Sequence, residues 1–221
     1  MVRHDSHDPG SGARRRHVAA DPLSRLGNFI NILNTQWLRL TYPFAAFGAG
    51  AAIHRSADIG RSMSLDISIG DGVYIAESVW LNVAGGCGIT SPKIVLGERC
   101  KIGRRSTISA ANKIVLGADV LLAPAVLIMD HSHEFSDPEA PIVAQGVTAG
   151  GRITIERNCW LGHGAAVLSS RNELVLGHNS VVAANAVVTK SFPPCSVVAG
   201  IPARLIRTFD RETATWVKTS G

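Results

Sequence analysis

The sequence predicts an all-β chain wound as a parallel β-helix, with one helix ahead of it and one loop extruded from it. Three observations predict that architecture. Aliphatic residues return every six positions between Ile53 and Val188, a phase that neither helix nor strand periodicity sustains. Gly or Ala follows many of them, at Gly60, Gly70, Gly97, Gly103, Gly117, Gly162 and Gly177 and at Ala76, Ala123 and Ala183. Hydrophobic residues make up 46% of the 221 residues but aromatics only 5%, which suits an interior of stacked Ile, Val, Leu and Ala. Each six-residue unit then forms one face of a coil, and three units close a turn. A β-sandwich has no reason to hold one phase so long.

Residues 1–20 carry Arg14, Arg15 and Arg16 among Gly, Ser and His, and their composition predicts a disordered basic tail. They lack the apolar stretch of a signal peptide. Residues 21–52 are predicted to form a helical cap. Asp21 and Pro22 suit an N-cap and first helical position, and Leu23, Leu26, Phe29, Ile30, Leu33, Trp37 and Leu40 recur at helical spacing. The helix is expected to cover the open first coil in preference to lying on a membrane surface. Residues 53–205 are predicted to form the β-helix. Its runs are Ile53, Ile59 and Leu65; Ile69, Ile75 and Leu81; Leu96, Ile102 and Ile108; Leu116, Leu122 and Ile128; Ile155, Leu161 and Val167; and Leu176, Val182 and Val188. The stretch 130–151 has no phase and carries Pro138, Pro141 and a Gly pair, so it is predicted to leave the coil as a loop. Smaller breaks fall at 83–93 and 169–173, and residues 206–221 read as a polar C-terminal tail.

The four cysteines, Cys87, Cys100, Cys159 and Cys195, show no metal-type pairing, and Cys159 sits in a repeat as a small packing residue. A reduced, cytoplasmic protein is the expectation. The apolar run 43–53 is too short to span a bilayer. A net charge of +5 lacks the aromatic-plus-basic pattern of nucleic-acid readout, so no nucleic-acid partner is expected.

Long loops on repetitive scaffolds tend to carry function. This one opens with Asp130, His131, Ser132 and His133 directly after a hydrophobic repeat. A histidine fixed there suits a general base, which needs a proton affinity near neutrality and a constant position.

Several segments then carry a resemblance over roughly residues 53–207. They are MDHSHEF (129–135), ITIERNCWLGHGAAV (153–167), LGHNSVVAANAVVTKSFPP (176–194) and VVAGIPARLIR (197–207). The chain resembles the hexapeptide-repeat acyltransferases with a left-handed β-helix, especially the galactoside, maltose and surface-polysaccharide O-acetyltransferases. The resemblance implies transfer of an acyl group, most simply acetyl from acetyl-CoA, to a carbohydrate hydroxyl. It aligns His131 with the family's base, with His133 as rival and Asp130 as a group that could orient the ring. It sets Trp160 at the acceptor or thioester end, and a backbone N–H near Gly162 or His163 at the developing oxyanion. It sets Ala184, Thr189 and Lys190 along the pantetheine arm, and Arg204 and Arg207 at the adenosine phosphates. Asn112, in the coil before the histidine, is the candidate acceptor contact. It implies a homotrimer with active sites between subunits, and no metal cofactor. The INILNTQWLRL start (30–40) and the DHSH loop look more like enzymes of capsular or exopolysaccharide assembly, which points to a glycan or glycolipid acceptor.

Two readings from other classes compete. A metal enzyme of the γ-carbonic-anhydrase type needs three histidines converging between subunits, and His131, His133, His163 and His178 lack its spacing. A non-catalytic β-helix scaffold predicts that the histidine loop is dispensable. Serine O-acetyltransferase lies within the enzyme class, but its large N-terminal helical domain has no counterpart in this sequence.

Overall fold

The computed structural model describes residues 22–85 and 92–219. The expected tail 1–20, the Asp21 cap and most of the break at 83–93 lie outside those residues. The chain begins with the helix Pro22–Thr41 (α1). It then winds through coils of three short strands each. The first coil holds Ala46–Phe47 (β1), Ala52–Ile53 (β2) and Asp58–Ile59 (β3); the second holds Ile67–Ile69 (β4), Tyr74–Ile75 (β5) and Trp80–Val83 (β6). The third holds Ile94–Leu96 (β7), Lys101–Ile102 (β8) and Thr107–Ala110 (β9); the fourth holds Lys113–Leu116 (β10), Leu121–Leu122 (β11) and Leu127–Met129 (β12). The fifth holds Arg152–Ile155 (β13), Trp160–Leu161 (β14) and Ala166–Leu168 (β15); the sixth holds Glu173–Leu176 (β16), Val181–Val182 (β17) and Val187–Val188 (β18). Ser196–Ala199 (β19), Arg204–Asp210 (β20) and Thr215–Lys218 (β21) finish the chain.

Every third strand pairs in parallel with its equivalent one coil away, so three sheets wall a prism. The repeat explains this directly. Ile75, Ile102, Leu122, Leu161, Val182 and Val198 stand in one register column of the second sheet. None of the six is more than 1% exposed. A column of this kind buries in company what no single coil could bury alone. The small residue after each aliphatic one answers a stacking constraint at the corner. A Cβ on Gly97 would lie 2.6 Å from the carbonyl carbon of Gly117 in the next coil. Cys159 packs inside, 1% exposed, as expected.

Two expectations about the ends need correction. Leu65 is not the third member of the first run. It is 54% exposed, within a 3-10 turn at Arg61–Asp66 inserted at a coil corner. The first coil is instead Phe47, Ile53 and Ile59, with Phe47 in register with Ile69, so the solenoid opens at Ala46 and not at 53. The expected C-terminal tail is mostly strand. β20 runs antiparallel to β19 and turns back into β21, extending the second sheet to nine strands. Asp210 closes that hairpin by accepting from Glu212 N at 2.9 Å and Thr213 Oγ1 at 2.8 Å, and Phe209 meets Trp216 edge-on.

Candidate active site

β12 ends at Met129, and Asp130 stands at the point where the chain leaves the coil. The chain returns at Gly151, whose N–H donates to Asp130 O at 2.6 Å. The neck of the loop is closed by a bridge between His133 and Val147, by Thr148 N donating to Ser132 O at 2.8 Å, and by Ser132 N donating to Thr148 Oγ1 at 3.1 Å. The loop is therefore anchored at its root, and the residues at the root are held rigidly.

Asp130 is fully buried and carries the site. Its Oδ1 accepts from Ala111 N at 2.6 Å, and its Oδ2 accepts from Asn112 N at 2.9 Å and Lys113 N at 2.7 Å. Those three amides form the corner of the preceding coil. Oδ1 also lies 3.0 Å from His131 Nδ1. A carboxylate satisfied by three backbone donors stays an acceptor, so it favours the tautomer with the proton on Nδ1. Nε2 is then the nitrogen left for chemistry. His131 is 9% exposed and lines a cleft of about 440 Å³ with Met129, Ser132, Leu168, Asn172 and Thr189. His133 is exposed and is not among the residues of that cleft. Lys113, whose main chain meets Asp130, has its ammonium held below the usual lysine range by burial and secondarily by Arg152.

Of the other sequence candidates, Thr189 shares the His131 cleft, and exposed Lys190 follows it with Nζ 5.7 Å from the Phe192 ring centre. Asn112 lies one coil below Asp130 with its side chain exposed. Trp160 stands elsewhere, half exposed on the second sheet, in a separate cleft of about 480 Å³ with Arg99, Lys101 and Leu121. Gly162, His163 and Ala184 sit at the corner between the second and third sheets, whereas His131 sits between the third and the first. The Gly162 N–H donates to Val182 O at 2.8 Å, so it belongs to the sheet and not to an oxyanion; His163 N–H is the remaining donor of the two. Arg204 and Arg207 are exposed on β20. Arg207 pairs with Val197, which pairs with Val181, which pairs with Trp160. Trp160 and Arg207 thus share one face, three strand spacings or about 14 Å apart. One chain gathers Asp130, His131 and Thr189, and it gathers Trp160 and Arg207, but it does not join the two groups. Sequence reasoning missed Thr148, 6% exposed, because its partners are a backbone amide and the Ser170 carbonyl of another coil. Among the described residues no three His, Cys, Asp or Glu side chains cluster as a metal site.

Residues 152–190 match a family described as the hexapeptide repeat of succinyl-transferase. That match takes in 39 of the chain's 221 residues. The chain is 31% identical over 131 residues to the putative lipopolysaccharide biosynthesis O-acetyl transferase WbbJ of Escherichia coli, covering 57% of this chain and 65% of that one. It is 26% identical over 140 residues to the galactoside O-acetyltransferase of the same organism, covering 63% of each. The chain spans between 51% and 65% of the length of the first curated relatives it matches. Among solved structures, the N-acyltransferase AntD of Bacillus cereus, in complex with dTDP and 3-hydroxybutyryl-CoA, superposes with a TM-score of 0.63 at 18% identity, over 80% of this chain and 89% of that one. That likeness concerns the fold alone.

Proposed function

We propose that the protein is an acyl-CoA-dependent O-acyltransferase that moves an acetyl group to a hydroxyl of a sugar, glycan or glycolipid. The observation that carries this reading is the buried Asp130–His131 pair opening on a cleft at the root of the loop. The names of the similar O-acetyltransferases support it, and those names supply the carbohydrate acceptor. Acyl-CoA, as co-substrate, supplies a thioester carbonyl. His131 Nε2 takes the proton of the acceptor hydroxyl as its oxygen bonds to that carbonyl carbon. His131 then returns the proton to the sulfur as the carbon–sulfur bond breaks, so the imidazole ends as it began. Asp130 keeps the ring oriented and compensates its transient charge. The guanidinium groups of Arg204 and Arg207 and the ammonium of Lys190 have the chemistry to hold the coenzyme's phosphates.

The separation of His131 from the face of Trp160 and Arg207 implies that a second chain completes each site. We read the assembly as a homotrimer of left-handed solenoids with sites between neighbours, which a closed threefold ring of heterologous contacts permits. We read its place as the cytoplasm, where acyl-CoA is at hand; among the described residues no helix is long and apolar enough to cross a membrane.

The test is release of free thiol from acetyl-CoA in the presence of a panel of sugars and oligosaccharides. His131→Ala is expected to lose transfer by about two to four orders of magnitude with coenzyme binding retained, and His133→Ala to keep it. No thiol release and no coenzyme binding in the native protein would overturn the reading.

A further inference from the structure

Helix α1 covers the solenoid with its polar side. Ile53 N donates to Thr35 Oγ1 at 2.9 Å, Arg55 N donates to Asn31 Oδ1 at 3.1 Å, and Asn34 Nδ2 reaches Ile53 O at 3.5 Å. These backbone groups belong to β2 and the residues just after it, and β2 is the first strand of its sheet, with a neighbouring strand on one side only. A helix docking there meets main-chain donors and acceptors, so its contact stripe reads Asn31, Thr35 and Leu38, not a row of aliphatics.

The apolar side is consequently turned outward. At the helical rotation per residue, Leu26, Phe29, Ile30, Leu33, Trp37 and Leu40 fall within one arc about 100° wide. Each is between 38% and 83% exposed. An amphipathic helix on a water-facing surface has the reverse arrangement. Contiguous apolar exposure on this scale marks a contact surface. At the same rotation Arg25 lies about 40° beyond one edge of the arc and Arg39 about 80° beyond it, where Arg39 leans over Phe47 with its guanidinium carbon 5.9 Å from the ring centre. Helix α1 has no acidic residue at all. Residues 22–61 hold Arg25, Arg39, Arg55 and Arg61 against a single acid, Asp58.

We infer that α1 lies in the plane of an anionic lipid surface, with its apolar arc among the acyl chains and Arg25 and Arg39 at the headgroup phosphates. The charge decides the occupant. A second copy of α1 laid against this face would set the arginines against a helix with no acid to answer them. An anionic bilayer meets both halves of the surface, apolar and basic, at once. The helix lies on the membrane and does not span it, in keeping with its length and polarity. The same element therefore has two faces in use, a polar one that closes the coil stack and an apolar one that anchors it. The inference stands apart from the reaction proposed above and needs no acyl transfer to be tested.

The experiment is flotation of the full chain with vesicles of phosphatidylcholine, with and without phosphatidylglycerol, at low and high salt. The native protein is expected to float with the anionic vesicles and to bind neutral ones, or anionic ones at high salt, at least about tenfold less. Combining Phe29→Glu with Leu33→Glu leaves Asn31, Thr35, Leu38 and the edge-on contact of Trp37 with Tyr42 untouched. It is expected to weaken anionic-vesicle binding at least about tenfold while the melting curve and circular dichroism stay as in the native protein. Arg25→Gln with Arg39→Gln is expected to reduce the salt dependence. The inference is overturned if the native protein floats with neither vesicle, or if the double Glu variant floats as well as the native protein. It is also overturned if that variant only abolishes a concentration-dependent self-association seen without lipid, which would assign the face to a second copy.

Discussion

Replacing Asp130 with Ala removes an acceptor from three amides at once. Ala111, Asn112 and Lys113 lose bonds of 2.6, 2.9 and 2.7 Å to a side chain with no exposed surface. Each orphaned buried donor costs about 1–3 kcal/mol, so the three together bracket about 3–9 kcal/mol. The neighbouring cleft lets water reach part of the gap, which places the expectation near the low end, about 4 kcal/mol. His131→Ala is the control, because it removes the ring and one hydrogen bond but leaves all three amides paired; its expected cost is about 1–2 kcal/mol. Amide hydrogen exchange reads the difference locally. The Ala111, Asn112 and Lys113 protons are expected to exchange up to about a thousandfold faster in Asp130→Ala and close to the native rate in His131→Ala. Asp130→Asn sharpens the case. Its oxygen can keep Asn112 and Lys113, but its amide nitrogen then faces Ala111 N–H and the ring, which favours the proton on Nε2. That variant is expected to stay folded and lose transfer as severely as His131→Ala. If Asp130→Ala unfolds no more easily than His131→Ala, and the three amides stay protected, the carboxylate is not what holds this corner and the argument fails.

Other consequences are open to direct measurement. Burial pushes the Cys100 and Cys159 thiols up to about 11. Both stay protonated at pH 8, so a thiolate-selective reagent is expected to modify the partly exposed Cys195 and spare these two until the chain unfolds; equal labelling of all three in the native state would contradict the packing. Ile108→Ala, in the fully buried interior, is expected to cost about 2–5 kcal/mol in chemical denaturation, whereas Leu65→Ala, on the exposed 3-10 turn, is expected to change stability by less than about 1 kcal/mol. Co-refolding His131→Ala with Arg207→Ala chains, assayed at limiting acetyl-CoA, is expected to give more activity than the two variants refolded separately, because some interfaces then combine a native His131 with a native Arg207. No recovery from a mixed assembly would place both residues in sites built by a single chain.

The interior was legible because it is written in a repeating phase. That is also why its ends were not. Leu65 keeps the six-residue count by coincidence: the inserted turn at Arg61–Asp66 displaces the true corner, and only the register of Phe47 with Ile69 shows where the coil begins. The segment after Leu205 leaves the repeat for an antiparallel hairpin, and a hexad count is blind to it. The root of the loop was legible because His131 stands at the break in the phase. The resemblance implied sites between subunits, but the sheet on which each candidate residue stands went unread, although the sequence holds it. His131 follows the third member of its run while Trp160 precedes the second of its own, and that position within the run names the sheet. Thr148 could not be found this way, since its partners are main-chain atoms brought near only by winding.

A stack of parallel coils has no natural last member. Every coil presents the next with a full row of amides and carbonyls, so a bare end is a template on which another chain could continue the ladder. At one end α1 occupies part of that template with side-chain oxygens, and at the other β20 and β21 run backward across it. An antiparallel strand cannot be mistaken for one more coil. The hairpin thus ends the second sheet with something other than a coil, and a chain cut short before Arg204 is expected to leave β19 as an open strand edge. The departure from the repeat that hid this segment from a hexad count is what covers the last edge of the second sheet.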